Sequence, residues 1–111
     1  MIECRQYPRV PVELQVFFST TGNTDIREGT MFDLSLGGCA VATTTAVRPG
    51  TSMRLLIRAT ELGSAITIES AAIRWSHHGE FGVEFMGISD LDQNRLNRLL
   101  QVSSSYPTRP N

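Results

Sequence analysis

Apolar residues recur at every second position in one short segment after another, and each run is interrupted by glycine, proline or small polar residues. A period of two is the mark of a strand with one buried face. Val12, Leu14, Val16 and Phe18 make the first such run, and STTGNTD from Ser19 to Asp25 supplies the turn formers of a loop. Further strands are expected over Arg27–Leu34, Cys39–Thr45, Met53–Ala59, Ala65–Ser76 and Glu80–Met86. Pro49-Gly50 offers the central pair of a type II turn, and His77-His78-Gly79 turns the chain before the last strand. Within Ala65–Ser76 the buried parity changes from Ile66 and Ile68 to Ile73 and Trp75, which predicts a bulge near Ala71-Ala72. Six strands at short, regular spacing restrict the chain to an all-β fold, a small antiparallel barrel.

One helix follows. Ser89 is placed to cap it, and Asp90 and Asp92 suit the positive end of its dipole. Leu91, Leu96, Leu99, Leu100 and Val102 then give an apolar face about three turns long, which would pack against the barrel or over one end. Three segments result: an extended, flexible arm over 1–11 interrupted by Pro8 and Pro11, the barrel and helix over 12–102, and a polar, disordered tail over 103–111. A chain of 111 residues with 41% hydrophobic content can build one core without staples.

Composition excludes several classes. Cys4 and Cys39 have no metal-type spacing, which argues against a disulfide framework and for a reducing compartment. No stretch resembles a signal peptide's apolar region or reaches the roughly 20 residues of a membrane span, so no membrane insertion and a cytoplasmic location are expected. A net charge of −1 gives no field for DNA or RNA. All ten basic residues are arginine, the side chain that pairs bidentately with phosphate and stacks on nucleobase planes.

Two clusters stand out. Arg5-Gln6-Tyr7-Pro8-Arg9 is an R-x-x-x-R arm, and Asp33-Leu34-Ser35-Leu36-Gly37-Gly38 contains D-x-S-x-x-G between two strands. In an antiparallel meander, the intervening strand and loop let the two clusters meet on the barrel surface. Together, in this order and spacing, they resemble the PilZ domain family. Pro49-Gly50, the strand ending in Arg74-Trp75 and the Gly82-Val83-Glu84-Phe85 strand before a final helix extend the resemblance from about Arg5 to Val102.

The resemblance implies a six-stranded barrel that binds cyclic-di-GMP as a non-enzymatic bacterial signalling receptor and passes the signal to an effector protein. No cofactor beyond that ligand is implied. Arg5 and Arg9 suit its phosphates and guanine O6/N7 edges. An ionised Asp33 only accepts hydrogen bonds, which suits guanine N1–H and N2–H. Ser35 would add a contact or order the turn. Gly38, with Gly37 sharing the role, would allow positive φ or close approach to the ligand. Cys4, just before the arm, falls where residues of resembling domains touch ligand and influence whether one or two nucleotides bind.

Trp75 reads first as core or barrel-wall packing and second as a surface for stacking against a ligand or partner. His77-His78 reads as a hairpin turn, since adjacent histidines point apart and no third ligand completes a metal set. No Ser/His/Asp set or paired carboxylates suggest catalysis. Two other classes compete: a PilZ-like adaptor of pilus or flagellar assembly that is independent of nucleotide, and a small barrel binding single-stranded nucleic acid through aromatics and a basic groove.

Overall fold

The computed structural model describes residues 7–60 and 63–105. Six strands are present: β1 (Val10–Thr20), β2 (Arg27–Leu34), β3 (Gly38–Ala42), β4 (Ser52–Ala59), β5 (Ser64–His77) and β6 (Glu80–Gly87). Helix α1 (Asp90–Ser105) follows. The alternation that marked β1 is realised directly, with Leu14, Val16 and Phe18 buried and their neighbours facing outward. In β4 the same rule buries Met53, Leu55, Ile57 and Ala59. Phe18 and Phe81 meet edge to face in the interior, with ring centroids 5.2 Å apart.

The strands close into an antiparallel barrel in the order β1-β2-β3-β6-β5-β4, with β4 returning to pair with β1. The first three strands lie side by side as the expected meander, and the chain then crosses over, so that β4 lies beside β1 and not beside β3. Pro49 and Gly50 form the expected turn, with Gly50 at φ 90° and the Thr51 amide donating to the Arg48 carbonyl. The Gly50 amide then donates to the Ile73 carbonyl, and the Ile73 amide donates to the Thr51 carbonyl, which ties the crossing segment to β5. The crossover leaves β3 free to pair with β6, so Gly38 stands opposite Glu84 and Cys39 opposite Val83. The wall that carries the second motif is therefore completed by the last strand.

β5 contains two irregularities against β6, between Ser70 and Ala71 and between Ile73 and Trp75. The first lies one residue before the bulge the parity change predicted. It moves the inward set from Ile66 and Ile68 to Ala71 and Ile73, all of them buried. The second turns Trp75 outward instead of continuing that inward set.

Helix α1 plugs the barrel with Leu96 and Leu99, which are fully buried, while Leu91, expected on the apolar face, is exposed. Ser89 caps the helix: its Oγ accepts from the Asp92 amide at 3.1 Å and donates to Asp92 Oδ2 at 3.0 Å. Asp92 Oδ1 also accepts from the Thr67 amide at 3.2 Å, fastening the helix to β5. The helix runs to Ser105, three residues beyond the boundary expected from the polar SSS run. Among the described residues no helix is long and apolar enough to cross a membrane.

Candidate functional site

Antiparallel pairing of β1 with β2 sets Val10 opposite Leu34 and Pro11 opposite Asp33. The arm thus enters the barrel beside the end of β2, and the two motifs become neighbours through one strand pair. Arg9 Nη1 donates to Asp33 Oδ2 at 3.2 Å across 24 residues of sequence. Asp33 is the more sheltered partner, its side chain 23% exposed against 48% for Arg9. Arg5 and Cys4 lie outside the described residues.

The turn after Asp33 is built by its own serine. Ser35 is buried, and its Oγ accepts from the Gly37 amide at 3.1 Å. The Ser35 amide donates to the Gly38 carbonyl at 2.9 Å, and the Phe85 amide donates to the Gly37 carbonyl at 2.9 Å. The turn is therefore locked both internally and to β6. The order-the-turn role expected of Ser35 is the one these bonds describe.

Of the two roles expected of the glycines, positive φ is not the one used, and both residues line the cleft. Positive φ among the described glycines occurs at Gly22, Gly50, Gly63 and Gly79, so neither Gly37 nor Gly38 needs it. A Cβ on Gly38 would collide with the Val83 carbonyl, so this glycine permits close packing of β3 on β6. A Cβ on Gly37 would lie 2.8 Å from Tyr7 Cδ2, so the Tyr7 ring rests on the bare turn. Tyr7 is a second bridge between arm and turn that sequence reasoning passed over. Its position inside R-x-x-x-R was the available signal.

These residues line one open cleft of about 460 Å³. Tyr7, Arg9, Asp33, Ser35, Gly37 and Gly38 form one side, and Arg74, Trp75, Gly82 and Glu84 contribute from β5 and β6. Trp75 is 39% exposed and belongs to this cleft, so it is packed on the barrel wall and not in the core. Gly82 explains its pose, because the indole lies where a Cβ on residue 82 would be. Arg74 donates to Glu84, with contacts of 2.6 and 2.9 Å to Oε1. Cys39 lies behind the floor. Burial raises its thiol pKa far above the ordinary range, and the Asp33 charge adds to the shift, so the group stays protonated and unreactive.

His77 and His78 occupy the β5–β6 hairpin, with His78 at φ 48° and ring centroids 3.9 Å apart. Among the described residues no group of three or more His, Cys, Asp or Glu side chains is placed to hold a metal ion.

A closed six-stranded antiparallel barrel with one capping helix, and a cleft where an arginine arm meets an Asp/Ser/Gly turn, defines a small barrel domain with one open face. The PilZ domain model matches residues 3–101, and the chain belongs to the PilZ domain family. The fold is similar to that of the Bacillus subtilis inhibitor of motility MotI/DgrA, with a TM-score of 0.74 and 25% identity. That alignment covers 97% of this chain but 55% of the other, so the chain spans little more than half the length of that relative. The PilZ domain of Escherichia coli YcgR with c-di-GMP gives a TM-score of 0.67 at 17% identity, covering 92% of both chains. The PilZ domain of CeSA from a cellulose-synthesizing bacterium gives 0.65 at 20% identity, covering 87% of this chain and 95% of that one. No curated protein sequence matches the chain.

Proposed function

We propose that the cleft binds cyclic-di-GMP and that the chain acts as a non-enzymatic receptor, coupling the messenger to an effector protein in the bacterial cytoplasm. Arg9 and Asp33 are its central recognition pair. The guanidinium pairs with phosphate or with guanine O6/N7, and the carboxylate accepts from guanine N1–H and N2–H. Arg5 acts with Arg9 from the same arm, and Cys4 borders it. Ser35, Gly37 and Gly38 hold the turn that presents Asp33. Trp75 offers a purine-sized face on the opposite wall.

The observation that carries this reading is the Arg9–Asp33 contact on the rim of one cleft, which joins the two family motifs. Family membership and the fold shared with a c-di-GMP complex of YcgR support it. Ligand held between arm and turn would order the arm and alter the surface offered to the effector.

Isothermal titration tests this, with cyclic-di-AMP and GTP as controls. Saturable binding of cyclic-di-GMP alone, abolished in Arg5→Ala, Arg9→Ala and Asp33→Ala, is the expected result. No saturable heat with the unaltered chain would remove the proposal.

A further inference from the structure

Arg74 occupies an unusual place in β5. Ile73 pairs with Val83 and Trp75 pairs with Gly82, so two steps along β5 match one along β6, and Arg74 is the extra residue of a bulge. Bulges re-aim side chains. Here Ile73 is buried, whereas Arg74 and Trp75, consecutive in sequence, are both exposed and both line the cleft. The far wall thereby gains a guanidinium beside an indole.

The charges in the described part of the cleft cancel. Its lining holds two arginines, Arg9 and Arg74, and two carboxylates, Asp33 and Glu84. Each cation is already paired: Arg9 with Asp33 at 3.2 Å, and Arg74 with Glu84 at 2.6 Å. A ligand carrying two phosphodiester charges meets no net positive field from these four groups. The two pairs differ in shelter, however. Arg74 and Glu84 are 54% and 53% exposed, so water screens their attraction and replacing one anion by another costs little. Glu84 is directly opposite Gly38 in the β3–β6 register, which sets its carboxylate beside the strand that follows the Asp33 turn.

We infer that Arg74 is a further anion-binding residue of the cleft and that Glu84 is its built-in competitor. Resting on the cyclic-di-GMP reading above, the inference assigns a ligand phosphate to the Arg74 guanidinium in exchange for Glu84. Glu84, released, remains a like charge near the dianion and holds the affinity down. The pair therefore sets the working range of the receptor without taking part in either family motif.

Titration of cyclic-di-GMP into the unaltered chain, Arg74→Gln, Glu84→Gln and the double variant tests this. Arg74→Gln should weaken binding about tenfold or more, as loss of a charge-assisted contact does. Glu84→Gln should tighten it about two- to fivefold, the range of an exposed ion pair. In the double variant much of that gain should vanish, because it acts through Arg74. Unchanged affinity in Arg74→Gln, or weaker binding in Glu84→Gln, overturns the inference. If Arg9→Ala abolishes binding while Arg74→Gln leaves it intact, the Arg74 assignment alone fails. If the unaltered chain does not bind, the reading of the cleft fails and this inference with it.

Discussion

The indole of Trp75 lies across the bare backbone of Gly82, on the adjacent strand and in direct register with it. A side chain at position 82 and the present pose of the indole exclude one another. Gly82→Ala should therefore push the ring off the cleft wall, at a cost of about 1–3 kcal/mol in folding stability for the overpacked site. Trp75 is the chain's single tryptophan, so its emission reports the change directly. A shifted emission spectrum and weaker ligand binding, with a urea midpoint lowered but unfolding still cooperative, are the expected outcomes.

Arg9 and Asp33 are partly exposed, and their pairing should matter far more for ligand than for fold. Arg9→Ala or Asp33→Ala should change folding stability by about 1 kcal/mol or less, while ligand titration loses its saturable signal. Chemical denaturation run beside the titration separates the two effects. A large stability loss in Arg9→Ala would mean that the arm is a structural strap.

Gly38 should behave in the opposite way. Its missing Cβ makes room for the Val83 carbonyl, so Gly38→Ala should strain the β3–β6 pairing and cost about 1–3 kcal/mol. Thermal melting should register that loss with no ligand present. Equal melting temperatures for the variant and the unaltered chain would return Gly38 to a purely ligand-facing role.

Cys39 gives a pH dependence of definite sign. Its folded pKa is raised above the ordinary thiol value of 9.0 by burial first and by the Asp33 charge second. Above that pH the unfolded chain releases the proton while the folded chain keeps it, so the unfolded state gains. Stability contributed by the neutral thiol is present below pH 9.0 and is lost as pH rises. The loss is at most about 1.4 kcal/mol per pH unit. Denaturation midpoints at pH 8 and pH 10 should differ more for the unaltered chain than for Cys39→Ala. In a Cys4→Ser background, thiol reagents should label Cys39 only after unfolding.

The strands were legible because period-two burial is a local property: Leu14, Val16 and Phe18 declare their face whatever they pack against. The helix start was legible for the same reason, since Ser89 and Asp92 are three residues apart and bond to each other. The crossover was not, because β3 carries no local mark of whether β4 or β6 will lie beside it. Arg9 and Asp33 could be paired in advance through the family pattern. Arg74 and Glu84 could not, since their meeting depends on a bulge of one residue in β5. The outward turn of Trp75 was hidden for that reason: parity continued from Ile73 would have sent it inward. Gly38 was read as allowing positive φ or close approach to a ligand, whereas the close neighbour in the fold is the Val83 carbonyl of β6, which no local pattern announces.

Return of β4 to β1 also limits how the domain can talk to other proteins. Within the described barrel each strand has a hydrogen-bonded neighbour on both flanks, so an incoming chain finds no free edge strand to extend. Recruitment by adding a strand to a sheet edge is thereby disfavoured. A protein partner would instead recognise side chains: those around Tyr7, those around the mouth of the cleft, or the outward face of α1. Tyr7 sits on the Gly37 turn at that mouth, where a nucleotide could most readily alter what a partner reads.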